Sequence, residues 1–152
     1  MARDYRFNFF VDNERMVIII RPIGYMPGSY FVEKLFDAYS KLEAPWRFGR
    51  INDFRRFDGH FSPEDLDAIA QGWRELAGGQ SYHANVAVVS QDPLAKLRVS
   101  FASPQFPNET ICVFSDYHEA MGWILANNQT AYLAGLGALS PSRRTDNDLI
   151  VE

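Results

Sequence analysis

R-I-N-D-F-R-R-F-D-G-H-F-S-P-E-D-L, residues 50–66, is the stretch whose reading decides the fold. It reads as a strand, a glycine turn and a capped helix start. Asp58-Gly59 breaks the strand pattern, since glycine tolerates the left-handed backbone that sharp turns often require. Ser62 offers its hydroxyl to the free amides of a new helix, Pro63 fits the first helical position, and Asp65 stands where a capping-box acid sits. Open α/β sheets place ligands where a strand delivers the chain to a helix amino terminus.

Working outward, the following helix carries Leu66, Ile69, Ala70, Trp73, Leu76 and Ala77 on one face and stops at Gly78-Gly79. Before the stretch, Phe31, Val32, Leu35, Phe36, Tyr39 and Leu42 make a helical stripe that Pro45 closes. Earlier still, Tyr5–Val11 alternates as a half-buried strand, and Met16–Ile20 is an apolar run suited to a strand covered on both faces. The two predict an antiparallel hairpin, ended by Pro22, Gly24, Pro27 and Gly28.

Downstream, Val86–Val89 is a buried strand and Asp92-Pro93 an N-cap with proline in the first turn. Leu94, Leu97 and Phe101 then space a short helix, and Pro104 and Pro107 make Ser103–Glu109 an irregular connection. Ile111–Phe114 is the last strand. Asp116 with Glu119 opens a helix through Ala120, Trp123 and Ile124, which Asn127-Asn128 interrupts before another turn or two at Ala131–Leu136. The order β-β-α-β-α-β-α-β-α predicts an α/β fold with a mostly parallel sheet, an antiparallel N-terminal hairpin and flanking helices. Residues 1–139 form one domain, and 140–152 a polar C-terminal tail.

Composition bounds the function. The 152 residues suffice for one domain with a real core. A net charge of -4 argues against a nucleic-acid footprint. Arg47, Arg50, Arg55 and Arg56 are interleaved with aspartates and read as a solvated or salt-bridged face. The single cysteine, Cys112, excludes an intramolecular disulfide and reads as a buried inert thiol in a reducing compartment. No signal core and no membrane span are visible, so a cytoplasmic location is expected.

I-N-D-F-R-R-F-D-G at 51–59, V-A-V-V-S-Q-D-P at 86–93 and I-C-V-F-S-D-Y-H-E-A-M-G-W-I-L at 111–125 carry a resemblance. Over roughly Tyr5 to Asn127 the chain resembles the SpoIIAA-like group of the STAS superfamily, bacterial domains related in fold to anti-anti-sigma factors and loosely to CRAL-TRIO lipid-transfer domains. The resemblance implies a STAS-like α/β sheet and no established catalytic residues. In anti-anti-sigma factors a serine in a D-S-x-G-L-type turn is phosphorylated. The matching turn here is G-H-F-S-P-E-D-L, so Ser62 is the candidate phosphosite, without the flanking Asp or the Gly-Leu.

A parallel sheet gathers its strand ends on one rim. That brings Arg21 near a candidate ligand or partner rim of Gly24, Asp58, Gly59, His60, Ser62, Ser90, Asp92, Ser115 and Asp116, with His118 beside it. The G-x-S-x-G elbow is missing and these Ser and Asp residues have capping roles, so no catalytic triad is expected. His60, His83 and His118 lack ligand spacing, no nucleotide loop occurs, and neither metal nor cofactor is expected. Trp46, Trp73 and Trp123 read as core, and Asp53 with Arg55 as a structural ion pair on one strand face.

Two functions are weighed. The first is a non-enzymatic regulatory or interaction domain binding a protein partner. The alternative is a carrier or sensor of a small apolar or lipid-like ligand, with Tyr30, Phe31, Phe36 and Tyr39 and the Leu94–Phe106 segment closing over it. An exposed apolar groove would favour the carrier. A homodimer is left open.

Overall fold

Five strands follow one another across one sheet in chain order. They are β1 (Tyr5–Asp12), β2 (Val17–Gly24), β3 (Gly49–Asp53), β4 (Ala84–Val89) and β5 (Glu109–Phe114). The helices are α1 (Gly28–Tyr39), α2 (Pro63–Ala77), α3 (Ala95–Ala102) and α4 (Tyr117–Leu139). β1 and β2 pair antiparallel, and every later pairing is parallel, as the element order requires. The computed structural model describes residues 4–139, with side chains through Asn128. The polar tail expected from Ser140 lies outside the described residues.

The topology dictates two unlike faces. Right-handed crossovers on a sheet that grows in one direction put α1, α2 and α3 on the same side. Only α4, which follows the last strand, reaches the other. Alternate residues of β2 divide accordingly. Ile18 and Ile20 pack with Phe31, Leu35, Tyr39 and Trp73 on the three-helix face. Val17 packs with Ile51, Ala87, Val89, Ala120 and Ile124 on the α4 face. The continuous apolar run of β2 is thus covered on both sides, as its pattern predicts.

Helix ends follow local chemistry. Ser62 Oγ accepts from Asp65 N at 3.1 Å and Asp65 Oδ2 accepts from Ser62 N at 2.9 Å, the expected capping box. Gly78 closes α2 in the left-handed conformation at φ 56°. α1 has no side-chain cap of its own, but the Asp65 carboxylate lies against Gly28, where a Cβ would come within 2.0 Å of Asp65 Oδ2.

Several local expectations are corrected. β2 continues through Pro22 to Gly24, because its parallel pairing with β3 ends at Ile20–Asn52, Pro22 pairs with β1 alone, and Gly24 adds only an isolated bridge to Phe57. Gly59 is not left-handed; a Cβ there would stand 2.6 Å from Met26 O, so close approach explains the glycine. Asp92 is not the N-cap of α3. It makes a turn ahead of the helix, accepting from Leu94 N at 2.9 Å, and α3 begins at Ala95. Ser103–Gln105 forms a short 3-10 turn, and β5 starts at Glu109, which pairs with Ala84. Asn127-Asn128 does not interrupt α4, whose backbone runs on to Leu139. Asn127 donates back to Trp123 O at 2.8 Å, and Asn128 donates to the carbonyls of Arg15 and Met16, tying the helix to the β1–β2 turn. Cys112 is half-buried rather than buried.

α3 is the most consequential correction. Leu94, Leu97 and Phe101 are largely exposed, at 51%, 54% and 77%, with Phe101 also edging a cleft beside the helix. The inward stripe is Ala95, Val99 and Ala102, spaced equally well for a helix but made of smaller side chains. The sequence carries two apolar stripes here, and the smaller one turns inward.

Candidate ligand-binding cleft

Because α3 is short and presents small side chains, the three-helix face is not filled over β4 and β5. A cleft of about 760 Å³ remains. Its floor is Arg50 and Asn52 of β3, Val86 and Val88 of β4, and Glu109 and Ile111 of β5. One wall is Phe31, Leu35 and Tyr39 of α1 with Leu66, Ile69 and Trp73 of α2. Phe54, Phe57 and Phe61 from the loop after β3 line it too, and α3 with Phe106 forms the opposite wall. Phe31, Phe54, Phe57 and Phe61 pack on one another with ring centroids 4.9–6.2 Å apart. Gln105 donates to Asp67 Oδ1 at 2.8 Å and links the two walls.

At the end of the cleft marked by the start of β5, Arg50 is 4% exposed and forms an ion pair with Glu109. Its guanidinium lies 4.1 Å from the Trp73 ring centroid. Burial, the largest influence, works against the Arg50 charge. Glu109 and Tyr39 outweigh it and hold the guanidinium charged, with its pKa raised. Burial pushes the Tyr39 hydroxyl up to about 12, with Arg50 acting in the opposite direction. One atom is left over. Arg50 Nε is buried and has no hydrogen-bond partner among the described residues.

At the opposite end lie Gly59, His60, Ser90, Gln91, Asp92 and Arg98. Asp92 pairs with Arg98, and Asp92 N donates to Ser90 Oγ at 3.1 Å. Nearby but on the other face, Asp53 is 1% exposed and accepts from Arg21 Nε at 2.8 Å and Arg55 Nε at 2.9 Å. Burial opposes its ionisation, yet the bonds from Arg55 and Arg21 prevail and hold its carboxyl below the usual range. Both guanidiniums also lie over Tyr117, at 5.4 and 5.2 Å.

The expected rim is therefore divided. Gly59, His60, Ser90 and Asp92 line the cleft. Asp58, Gly59 and His60 also line a second depression, of about 410 Å³, beside Tyr25–Gly28 and Asp65. Gly24 instead holds the 54–58 loop, donating to Arg56 O and accepting from Asp58 N. Its φ of 86° and a Cβ position 2.2 Å from Asp4 O demand glycine. Ser62 is occupied in its capping box. Ser115 and Asp116 line neither cavity; Asp116 Oδ2 accepts from Glu119 N at the start of α4. Trp73 is core and cleft wall at once, whereas Trp46 and Trp123 are half-buried against the two cores.

Arg50 was expected on a solvated or salt-bridged face; it is salt-bridged but inside the protein. Together with Glu109 it is the part of the site that sequence reasoning missed, whereas Phe31 and Tyr39 line the cleft as the carrier reading expects. Strand parity was the usable signal, since Arg50 and Asn52 alternate with Ile51 and Asp53. Among the described residues no cluster of three or more His, Cys, Asp or Glu side chains is placed to hold a metal ion.

The sequence matches no protein-family profile and no curated protein. Among solved structures, the chain is similar to an uncharacterised protein of the DUF3478 family with a SpoIIAA-like fold from Shewanella loihica PV-4. The superposition has a TM-score of 0.54 and 16% identity, covering 82% of this chain and 98% of the other. The fold is SpoIIAA-like. Within this SpoIIAA-like fold the cleft lies between α2 and α3, above the parallel half of the sheet. No helix among the described residues is long and apolar enough to cross a membrane.

Proposed function

We propose that the protein is a non-catalytic binding module that carries or senses a small apolar or lipid-like molecule in the cleft between α2 and α3. The observation that supports this reading is the cleft itself. Its volume of about 760 Å³ lies within the usual range for small-molecule sites, and its lining is mostly aromatic and aliphatic with a few polar groups. Ligand sites in open α/β sheets favour the carboxyl ends of the strands, where Gly59, His60, Ser90 and Asp92 stand.

The test is native mass spectrometry of the protein purified from its own host, beside a Val88→Phe variant that narrows the cleft floor. A mass carried by the wild type, released by organic solvent and missing from a folded Val88→Phe protein supports the carrier. Protein that arrives without ligand and binds no apolar probe refutes it.

A second reading, a regulatory domain that binds a protein partner, has one observation in its favour. Leu94, Leu97 and Phe101 form an exposed apolar surface on α3. A stoichiometric partner complex that persists in Val88→Phe and dissolves on Leu97→Asp would favour that reading.

A further inference from the structure

The chemistry lining the cleft restricts which ligand it accepts, an inference that rests on reading the cleft as a ligand site. Three arginines border it: Arg50, Arg55 and Arg98. Each already carries a carboxylate, namely Glu109, Asp53 and Asp92 respectively. An anionic ligand would find no arginine without a carboxylate partner. Beside Arg50 it would instead meet Glu109, whose side chain is 3% exposed, and bury a second negative charge without compensation.

Beside the cleft floor lies an unsatisfied donor. Arg50 Nε is buried, belongs to a residue that lines the cleft, and has no acceptor among the described residues. An unpaired buried donor carries its full desolvation penalty until an acceptor arrives. The guanidinium is held in place by Glu109 on one side and by the Trp73 ring at 4.1 Å, so it cannot swing out to find water at little expense. Asn52, uncharged, faces the same cleft one strand repeat away, about 7 Å along β3. The rest of the lining is largely apolar.

We infer that the ligand is uncharged: an apolar chain or ring system bearing a neutral oxygen acceptor, such as a ketone, ester, ether or alcohol, that receives the Arg50 Nε hydrogen bond. The neutral Arg50–Glu109 pair selects against a carboxylate of the same length.

Matched probes test this: methyl hexyl ketone, octanol, octanoate and octane, each titrated into the full chain by heteronuclear NMR at neutral pH. The ketone and the alcohol should bind about tenfold or more tightly than octanoate. Glu109→Gln leaves the Arg50 charge unbalanced and should raise octanoate affinity above that of the ketone. In case that variant does not fold, Arg50→Met with Glu109→Leu replaces the pair by apolar groups of similar size, a change that is often tolerated. The double variant should keep octane binding and lose the preference of ketone over octane. Octanoate binding the wild type more tightly than the ketone overturns the inference while leaving the cleft reading intact, as does an unchanged ketone preference in the double variant. Failure of every probe, octane included, overturns the cleft reading and this inference with it.

Discussion

The two faces of the sheet are built from the same strands and end up differently. On the α4 face, small aliphatic residues (Val17, Ile51, Ala87, Val89) meet Ala120 and Ile124 of one long helix, and the layer closes. On the other face three helices must share the surface. α1 and α2 supply large aromatics, and α3 supplies alanine and valine. Rings of that size leave a gap when the next helix is short, and the gap is the cleft. Each face also has its own charge cluster. Asp53 is buried, but its partners Arg21 and Arg55 remain partly in water, whereas Arg50 and Glu109 are both nearly inaccessible. A face closed by one matching helix stores stability. A face shared by unequal helices leaves space for a ligand.

The sharpest way to break this contrast is at the inaccessible pair. Arg50→Ala strands the Glu109 carboxylate and should cost about 3–5 kcal/mol in urea unfolding. A cost below about 1 kcal/mol would mean that the pair behaves like an exposed one. On the closed face, Ile124→Ala should cost about 2–5 kcal/mol, because the packed layer has little room to collapse into the cavity.

The second charge cluster is read through pH. The Asp53 pKa is lowered in the folded state, so its stabilisation is fully present above the unfolded carboxyl pKa of about 3.9 and is lost as pH falls through the folded value. Asp53→Asn should remove about 1.5–3 kcal/mol at neutral pH, the range for hydrogen bonds to charged groups. The difference between wild-type and variant unfolding curves should then shrink on acidification below about pH 4. A difference independent of pH would show that the carboxylate charge contributes nothing.

Smaller effects delimit the comparison. Ser62→Ala removes one capping bond and should cost about 0.5–2 kcal/mol, with thermal unfolding as the readout. Phe101→Ser, on the open side and 77% exposed, should change stability by no more than about 0.5 kcal/mol while weakening apolar-probe binding. A large stability loss at Phe101 would mean that α3 is packed like α4, and the contrast between the faces would fail.

Much of the fold is legible in the chain alone. The element order, the hairpin, the parallel crossovers, the Ser62–Asp65 box and the Gly78 stop were readable because each depends on residues within a few positions of one another, through caps, turns and periodicity. The Asp53–Arg55 pair was readable for the same reason, two residues apart on one strand. Where local patterns are ambiguous, tertiary contacts decide. α3 carries two apolar stripes of equally good helical spacing, and only its packing over the sheet shows which one turns inward. Asn127-Asn128 looks like a helix break until the carbonyls of Arg15 and Met16, more than a hundred residues earlier, accept from Asn128.

The sequence by itself determined the α/β class, the strand order along the chain and the residues available to a rim, since these follow from short-range backbone chemistry. Tertiary structure alone decided that Arg50 is internal, that Glu109 lies beside it across 59 positions, and that Gly24 serves the scaffold instead of the cleft. Burial and charge pairing are properties of surfaces brought together by the fold. No local pattern encodes which distant carboxylate an arginine will meet.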